Sequence, residues 1–138
     1  MTGHSGKFLP RPTPETAAWW DACRNHELLV QKCSDCGNCQ FYPRTICTKC
    51  LSSSVEWAKA AGTGEVITFT VVRRAVSEAY AADVPYVIAL IRLQEGPVMM
   101  SAVEGCEPED VGIGMPVEVL FEEWSEDITM PKFRPVDQ

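Results

Sequence analysis

The sequence predicts a mainly β protein in three parts: an N-terminal helix, a four-cysteine metal ribbon and a five-stranded barrel. Three observations predict it. Two Cys-x-x-Cys pairs, Cys33/Cys36 and Cys47/Cys50, stand ten residues apart. Pairs of this spacing let a short hairpin bring four thiolates to one metal. Just before them, Pro14 is followed by apolar residues at helical spacing. Beyond residue 64 the chain breaks into five short runs of strand character divided by turn residues. The divisions expected are 1–30 for an arm and helix, 31–57 for a rubredoxin-like zinc ribbon, and 58–138 for the barrel.

Residues 1–13 read as an arm rich in Gly and Pro. Thr13 is placed to cap a helix with Pro14 at its first position, because proline has no N–H to leave unpaired there. The helix is expected to run to about Asn25, with Ala18, Trp19, Ala22 and Cys23 on one side. Trp20 lies off that stripe. Two adjacent tryptophans on a helix cannot both face one small core. Either they divide between ribbon and barrel, or one is an exposed anchor for a partner. His26, at the helix end, reads as a C-capping residue.

A strand over 27–32 leads into the first cysteine pair. Gly37 follows that pair, where the backbone often needs positive φ. Phe41, Tyr42 and Pro43 give the hairpin a small apolar wall. Cys39 competes for a ligand place, since Cys36-x-x-Cys39 is also a valid spacing. Cys33/Cys36 is preferred because it mirrors Cys47/Cys50 and carries the glycine, leaving Cys39 a spectator. The stretch has too little apolar mass to bury four thiols without a metal.

Residues 60–64 read as a flexible join. The run 65–73 alternates, with Ile67, Phe69 and Val71 on one face and Thr68 and Thr70 on the other. Further strands are expected at 86–93, 98–103, 117–124 and 128–134. In the fourth, Val117, Val119 and Phe121 face inward and Glu118 and Glu122 outward. One helical turn is expected at 107–110. Five such strands suit a small closed barrel of the OB type, which exposes a long loop after its first strand. Here that loop is 74–85, apolar for a surface segment, and reads as a lid or a partner contact.

Composition narrows the function. The net charge of −7 argues against a general nucleic-acid binder, which needs a basic footprint. Nine acids and no Lys or Arg occupy residues 104–127, which reads as a solvated acidic face. No apolar run is long enough to cross a bilayer, and the N-terminus lacks the apolar stretch of a signal peptide. Seven cysteines, four at metal spacing, fit a reducing cytoplasm better than a disulfide scaffold. Catalytic groups are few. His4 sits in the arm, and Cys106 lies near acids that raise a thiol pKa. A four-cysteine site leaves no position for a substrate water. No catalytic residue is assigned, and no enzyme acting alone is expected.

The helix, the ribbon with Phe41-Tyr42-Pro43-Arg44, the run 111–117 (VGIGMPV) and the closing 131–135 (PKFRP) together resemble the zinc-ribbon OB-fold family once catalogued as a domain of unknown function. The likeness covers nearly the whole chain. Thr48 stands where the family often has proline, and Cys39 where cysteine is unusual. The resemblance implies an accessory subunit of a thiolase-like enzyme, a related aldolase or an enoyl-CoA hydratase, helping to shape an acyl-CoA site. One structural zinc per chain is expected on Cys33, Cys36, Cys47 and Cys50. Arg73, Arg74, Lys132 and Arg134, near strand ends, are candidates for CoA phosphates or partners of the acidic face. Trp19, Trp20 and Tyr80 are candidate anchors for the enzyme partner. The competing readings are a nucleic-acid module and a rubredoxin-like iron carrier, whose knuckles lie farther apart.

Overall fold

The computed structural model describes residues 9–136. Residues 1–8 of the expected arm, with His4, lie outside that range. The helix, α1, is Ala17–Arg24 and begins three residues later than Pro14 suggests. Thr13 and Thr16 explain the delay. The Thr13 carbonyl accepts from the N–H groups of Thr16 (3.0 Å) and Ala17 (2.8 Å), while Thr16 Oγ1 accepts from the Thr13 N–H. The two threonines close a separate turn, and Thr16 becomes the N-cap. Trp19, Ala22 and Cys23 are buried as expected; Ala18, one residue from the helix start, is exposed.

The C-terminus of α1 is closed by a six-to-one and a five-to-two bond: Glu27 N–H to Ala22 O and His26 N–H to Cys23 O, both 2.9 Å. This is the Schellman arrangement, and its left-handed position is filled by His26 at φ 60° instead of glycine. The imidazole stacks on Phe121 with centroids 5.2 Å apart. The side chain thus fastens the helix end to the barrel while the backbone caps it.

Three strands form the ribbon sheet: β1 (Leu29–Cys33), β2 (Cys39–Gln40) and β3 (Val55–Lys59), in the order β2-β1-β3. β1 starts two residues after the expected position because Glu27 is used in the helix cap, while the Leu28 carbonyl still accepts the Ala60 N–H at the end of the β1–β3 pairing. The barrel follows with β4 (Thr63–Val72), β5 (Tyr86–Leu93), β6 (Val98–Val103), β7 (Pro116–Glu123) and β8 (Thr129–Pro135). It closes in the order β4-β5-β6-β8-β7, with β7 returning to β4 at Thr63, Gly64 and Glu65. The expected helical turn is a 3-10 turn at Pro108–Asp110.

The inward pattern of β4 differs from the alternation read in the sequence. A bulge between Val66 and Thr68 shifts the phase, so Val66 is in the core and Ile67 is only half-buried. Phe69 and Val71 pack on the core as expected. Gly64 is required for closure: a Cβ there would lie 2.5 Å from the Arg92 carbonyl oxygen. One core joins both parts. Trp19, Cys23, Leu28, Val30 and Phe41 are continuous with Val66, Ile91, Val117 and Phe133.

Candidate metal centre and adjoining groove

The four expected cysteines converge. The Sγ atoms of Cys33, Cys36, Cys47 and Cys50 all lie within 4.8 Å of one another. Cys33–Cys50 and Cys36–Cys47 are each 3.6 Å apart. A tetrahedral metal with metal–sulfur bonds of about 2.3 Å requires sulfur–sulfur edges of about 3.8 Å, so the donor set fits. Cys39 lies in β2 opposite Lys32 and outside the cluster.

The two knuckles have the same backbone design. Gly37 N–H bonds Cys33 O (2.9 Å), and Leu51 N–H bonds Cys47 O (3.0 Å). Both residues are left-handed, Gly37 at φ 78° and Leu51 at φ 65°. Glycine adopts this conformation freely; leucine does so at a cost of about 1 kcal/mol.

Backbone N–H groups favour the thiolate form of two of the sulfurs, Cys33 and Cys47. The Cys36 and Asp35 N–H groups hold the Cys33 thiol below its usual range against the opposing effect of burial. The Cys50 and Lys49 N–H groups bring Cys47 down to about 6. Lys49 N–H lies 3.3 Å and Asn38 Nδ2 3.7 Å from the Cys47 sulfur. Cys50 moves the other way. The Ser52 N–H favours its thiolate, but desolvation and the three neighbouring sulfurs push it up to about 12. Four thiolates this close repel one another unless a cation stands among them.

Two glutamines that the sequence did not single out brace the loop between the knuckles. Gln31 and Gln40 are buried cross-strand partners, joined by a 2.8 Å bond. Gln31 accepts from the Arg44 N–H and donates to the Arg44 carbonyl. Gln40 accepts from both the N–H and the hydroxyl of Thr48. This gives the unexpected Thr48 a role. Its N–H and hydroxyl both point at one amide oxygen, a bond that proline could not donate.

A groove of about 740 Å³ adjoins the ribbon and the barrel. Trp19 and Trp20 of α1, Phe41 of the ribbon, Tyr80 of the long loop, and residues of β6 and β8 line it. Trp19 is only 7% exposed, packs edge-on against Phe41 and donates its indole N–H to Leu29 O at 3.0 Å. It is therefore a core residue, as its place on the inward stripe of the helix implies. Trp20 is half-buried and meets Trp19 edge-on. Tyr80 closes a 3-10 turn, Glu78–Tyr80.

The four basic candidates are not brought together in one role. Lys132 is buried and donates to Glu104 at 2.7 Å and Glu122 at 3.0 Å. Burial works against its charge, but the two carboxylates outweigh it and hold the ammonium above its ordinary pKa. Arg134 is 3.8 Å from Glu118. Arg73 and Arg74 are exposed, and no ion pair is described for either among the described residues. Cys106 is raised first by desolvation and then by Asp110 and Glu107. The sequence anticipated the acids but not the larger effect of burial.

A helix-led ribbon with a closed four-thiol site, fused to an OB barrel, defines the class of zinc-ribbon OB-fold proteins. Residues 20–56 match the family model described as the ChsH2 rubredoxin-like zinc ribbon domain, and 57–122 that of the ChsH2 C-terminal OB-fold domain. The chain belongs to this family, also called DUF35. It is 36% identical over 138 residues to a DUF35 domain-containing scaffold protein of Methanocaldococcus jannaschii, covering 95% of this chain and 97% of that one. It is 34% identical to a probable enoyl-CoA hydratase alpha subunit of Thermomonospora curvata, across 91% of this chain but only 40% of that relative's length. Among solved structures it resembles the Ltp2-ChsH2(DUF35) aldolase, with TM-score 0.82 and 32% identity, covering 92% of this chain and 98% of that chain. Among the described residues no helix is long and apolar enough to cross a membrane.

Proposed function

We propose that this chain is a non-catalytic accessory subunit. It carries one structural zinc on Cys33, Cys36, Cys47 and Cys50, associates with a thiolase-like enzyme and helps to form its acyl-CoA site. The observation that carries this reading is the likeness, over nearly the whole length of both chains, to a chain of the structure described as Ltp2-ChsH2(DUF35) aldolase. The scaffold name of the archaeal relative supports a structural role. The zinc would supply the binding free energy that lets a small ribbon hold its shape.

In this reading the enzyme partner provides the nucleophile and the acid–base groups. Trp20 and Tyr80, on elements that border the groove, offer aromatic contact area to the partner. Arg73 and Arg74, exposed and with no ion pair described, are the better candidates for CoA phosphates, because an uncompensated guanidinium can bind phosphate bidentately. Lys132 is already held by two carboxylates. A nucleic-acid role has less support, given the net charge of −7. The work of the subunit would be cytoplasmic.

Co-expression with a thiolase-like enzyme from the same source, followed by size exclusion, tests the reading. One co-eluting complex, with enzyme activity that falls when the subunit is withheld, is the expected result. Two separate peaks with the enzyme fully active alone would overturn it.

A further inference from the structure

Exposure and hydrogen bonding divide the four thiols of the metal centre, and the division marks a modification site. We infer that Cys36 is the point at which a peroxide attacks the zinc-loaded ribbon, and that Cys47 closes on it as a cross-knuckle disulfide, taking two of the four donors from the metal. This goes beyond the accessory-subunit reading and rests only on its zinc assignment.

The four sulfurs are not equivalent. Cys33 and Cys47, the first of each knuckle, are 1% exposed. Cys36 and Cys50, the second of each, are exposed. Cys33 ends β1 and is held in the sheet, whereas Cys36 sits in the turn closed by the Gly37 N–H to Cys33 O bond. Hydrogen bonds separate the sulfurs further. The Cys47 sulfur is approached by the N–H groups of Lys49 at 3.3 Å and Cys50 at 3.5 Å, and by Asn38 Nδ2 at 3.7 Å. Cys33 receives the Cys36 and Asp35 N–H groups, and Cys50 that of Ser52. The described contacts of the Cys36 sulfur are with other sulfurs, with no N–H donor among the described residues.

A donated N–H draws on the lone pair that an electrophile must take, so a hydrogen-bonded thiolate is the weaker nucleophile. Bound zinc keeps all four sulfurs deprotonated at neutral pH, which is their nucleophilic form. Cys39 and Cys106, outside the cluster, have no metal to do this. Access and undrawn electron density therefore coincide at one atom, Cys36 Sγ.

The chemistry balances with one peroxide. The Cys36 thiolate attacks a peroxide oxygen; the S–O bond forms, the O–O bond breaks, and hydroxide leaves with the electron pair. The sulfenic acid so formed stands 3.6 Å from the Cys47 sulfur. The Cys47 thiolate attacks the Cys36 sulfur; an S–S bond of about 2.05 Å forms, the S–O bond breaks, and a second hydroxide leaves. Two thiolates have lost two electrons, and hydrogen peroxide has become two hydroxides. Cys33 and Cys50 remain as donors, half of a tetrahedral set, and no longer hold the zinc. The cross-link joins the two knuckles, so the loop between them stays tied where the metal had tied it.

The test uses the zinc-loaded full chain, limiting hydrogen peroxide, the coloured zinc chelator 4-(2-pyridylazo)resorcinol and mass spectrometry of the cysteine peptides. Zinc is expected to be released in step with peroxide consumed, and Cys36–Cys47 to be the first cross-link. A brief pulse of iodoacetamide on the untreated chain should label Cys36 about tenfold faster than Cys33 or Cys47. Cys39→Ser removes a thiol outside the cluster and should leave zinc release and the cross-link unchanged. The inference is overturned if the first cross-link joins Cys36 to Cys33 or Cys39, if Cys47 is labelled as fast as Cys36, or if zinc stays bound once the peroxide is consumed. A chain isolated without zinc would overturn the zinc assignment instead, and the order of labelling would still judge Cys36.

Discussion

The ribbon and the barrel lie in one chain and share one core, yet they are held by different forces. The ribbon sheet has strands of five, two and five residues. Between its knuckles it is organised by sulfur and by the Gln31–Gln40 amide network. The barrel is organised by hydrocarbon: Ile91, Val117 and Phe133 have no exposed surface. A small hairpin cannot bury enough apolar area to offset the entropy of ordering it. A metal site supplies that free energy from a few atoms, and the barrel needs none. The two regions should therefore respond to different insults.

The largest effect is expected from removing the metal. Structural zinc contributes apparent free energies of about 10–16 kcal/mol in small ribbons. Elemental analysis should find close to one zinc per chain and little iron. Cys36→Ser should lose it and disorder the ribbon amides in NMR spectra, while Cys39→Ser should keep it. The opposite pattern would move the site to the Cys36/Cys39 pair.

The barrel is broken by cavity formation instead. Phe133→Ala removes a fully buried ring and should destabilise by about 3–5 kcal/mol in denaturant titrations. Zinc should stay bound until the global transition. Loss of metal in step with Phe133 truncation, under native conditions, would mean that the two regions are not separable.

A sharper comparison comes from Gln40→Ala. It leaves the Thr48 N–H and the Gln31 carbonyl oxygen short of a partner. A loss of about 1–3 kcal/mol is expected, with faster zinc transfer to a chelator. A slower chelator reaction would show that the glutamines do not brace the metal loop.

Lys132→Met tests the polar cluster on the barrel. The ammonium is largely buried, but its partners are 41% and 33% exposed, so the loss should be only about 1 kcal/mol. Its pKa is raised in the folded state, so its contribution is fully present below the ordinary lysine value of 10.5. It fades as pH climbs through the raised value. The stability gap between the parent chain and Lys132→Met should be level at neutral pH and close in strong alkali. The smallest effect is expected from Arg73→Ala with Arg74→Ala. Stability should change by under about 0.5 kcal/mol, while the complex's apparent KM for an acyl-CoA rises. An unchanged KM would remove these arginines from the site.

What the sequence revealed depended on the range of the interaction. The metal ligands were legible because their spacing is local and chemical: Cys33, Cys36, Cys47 and Cys50 converge as the two pairs imply. Strands β5 and β6 were legible to the residue, since hydrophobic runs and the turn between them bound both ends. The start of α1 was misread because Thr16 captures the turn that Pro14 was expected to open. The phase of β4 was misread because a bulge leaves no mark in the alternation. Lys132 was read as a partner of either CoA phosphates or the acidic face, and the sequence could not choose because its carboxylates, Glu104 and Glu122, come from residues 28 and 10 positions away. Long-range pairing of this kind has no signature in a single sequence. Neither do Gln31 and Gln40, whose meeting depends on strand register.

The barrel is a ring with unequal joints. β4 meets β5 from Gly64/Leu93 to Val72/Tyr86, and β7 meets β8 from Val117/Pro135 to Glu123/Thr129. β6 meets β8 through the single parallel bridge Val103/Phe133. The Glu104 N–H to Phe133 O bond and the Lys132–Glu104 ion pair reinforce it. A ring opens at its thinnest joint, so the amides flanking this bridge are the first to exchange with solvent in any partial opening. Residues from both sides of the joint line the groove. Whatever occupies it touches both halves of the closure, so occupancy and ring opening become thermodynamically linked.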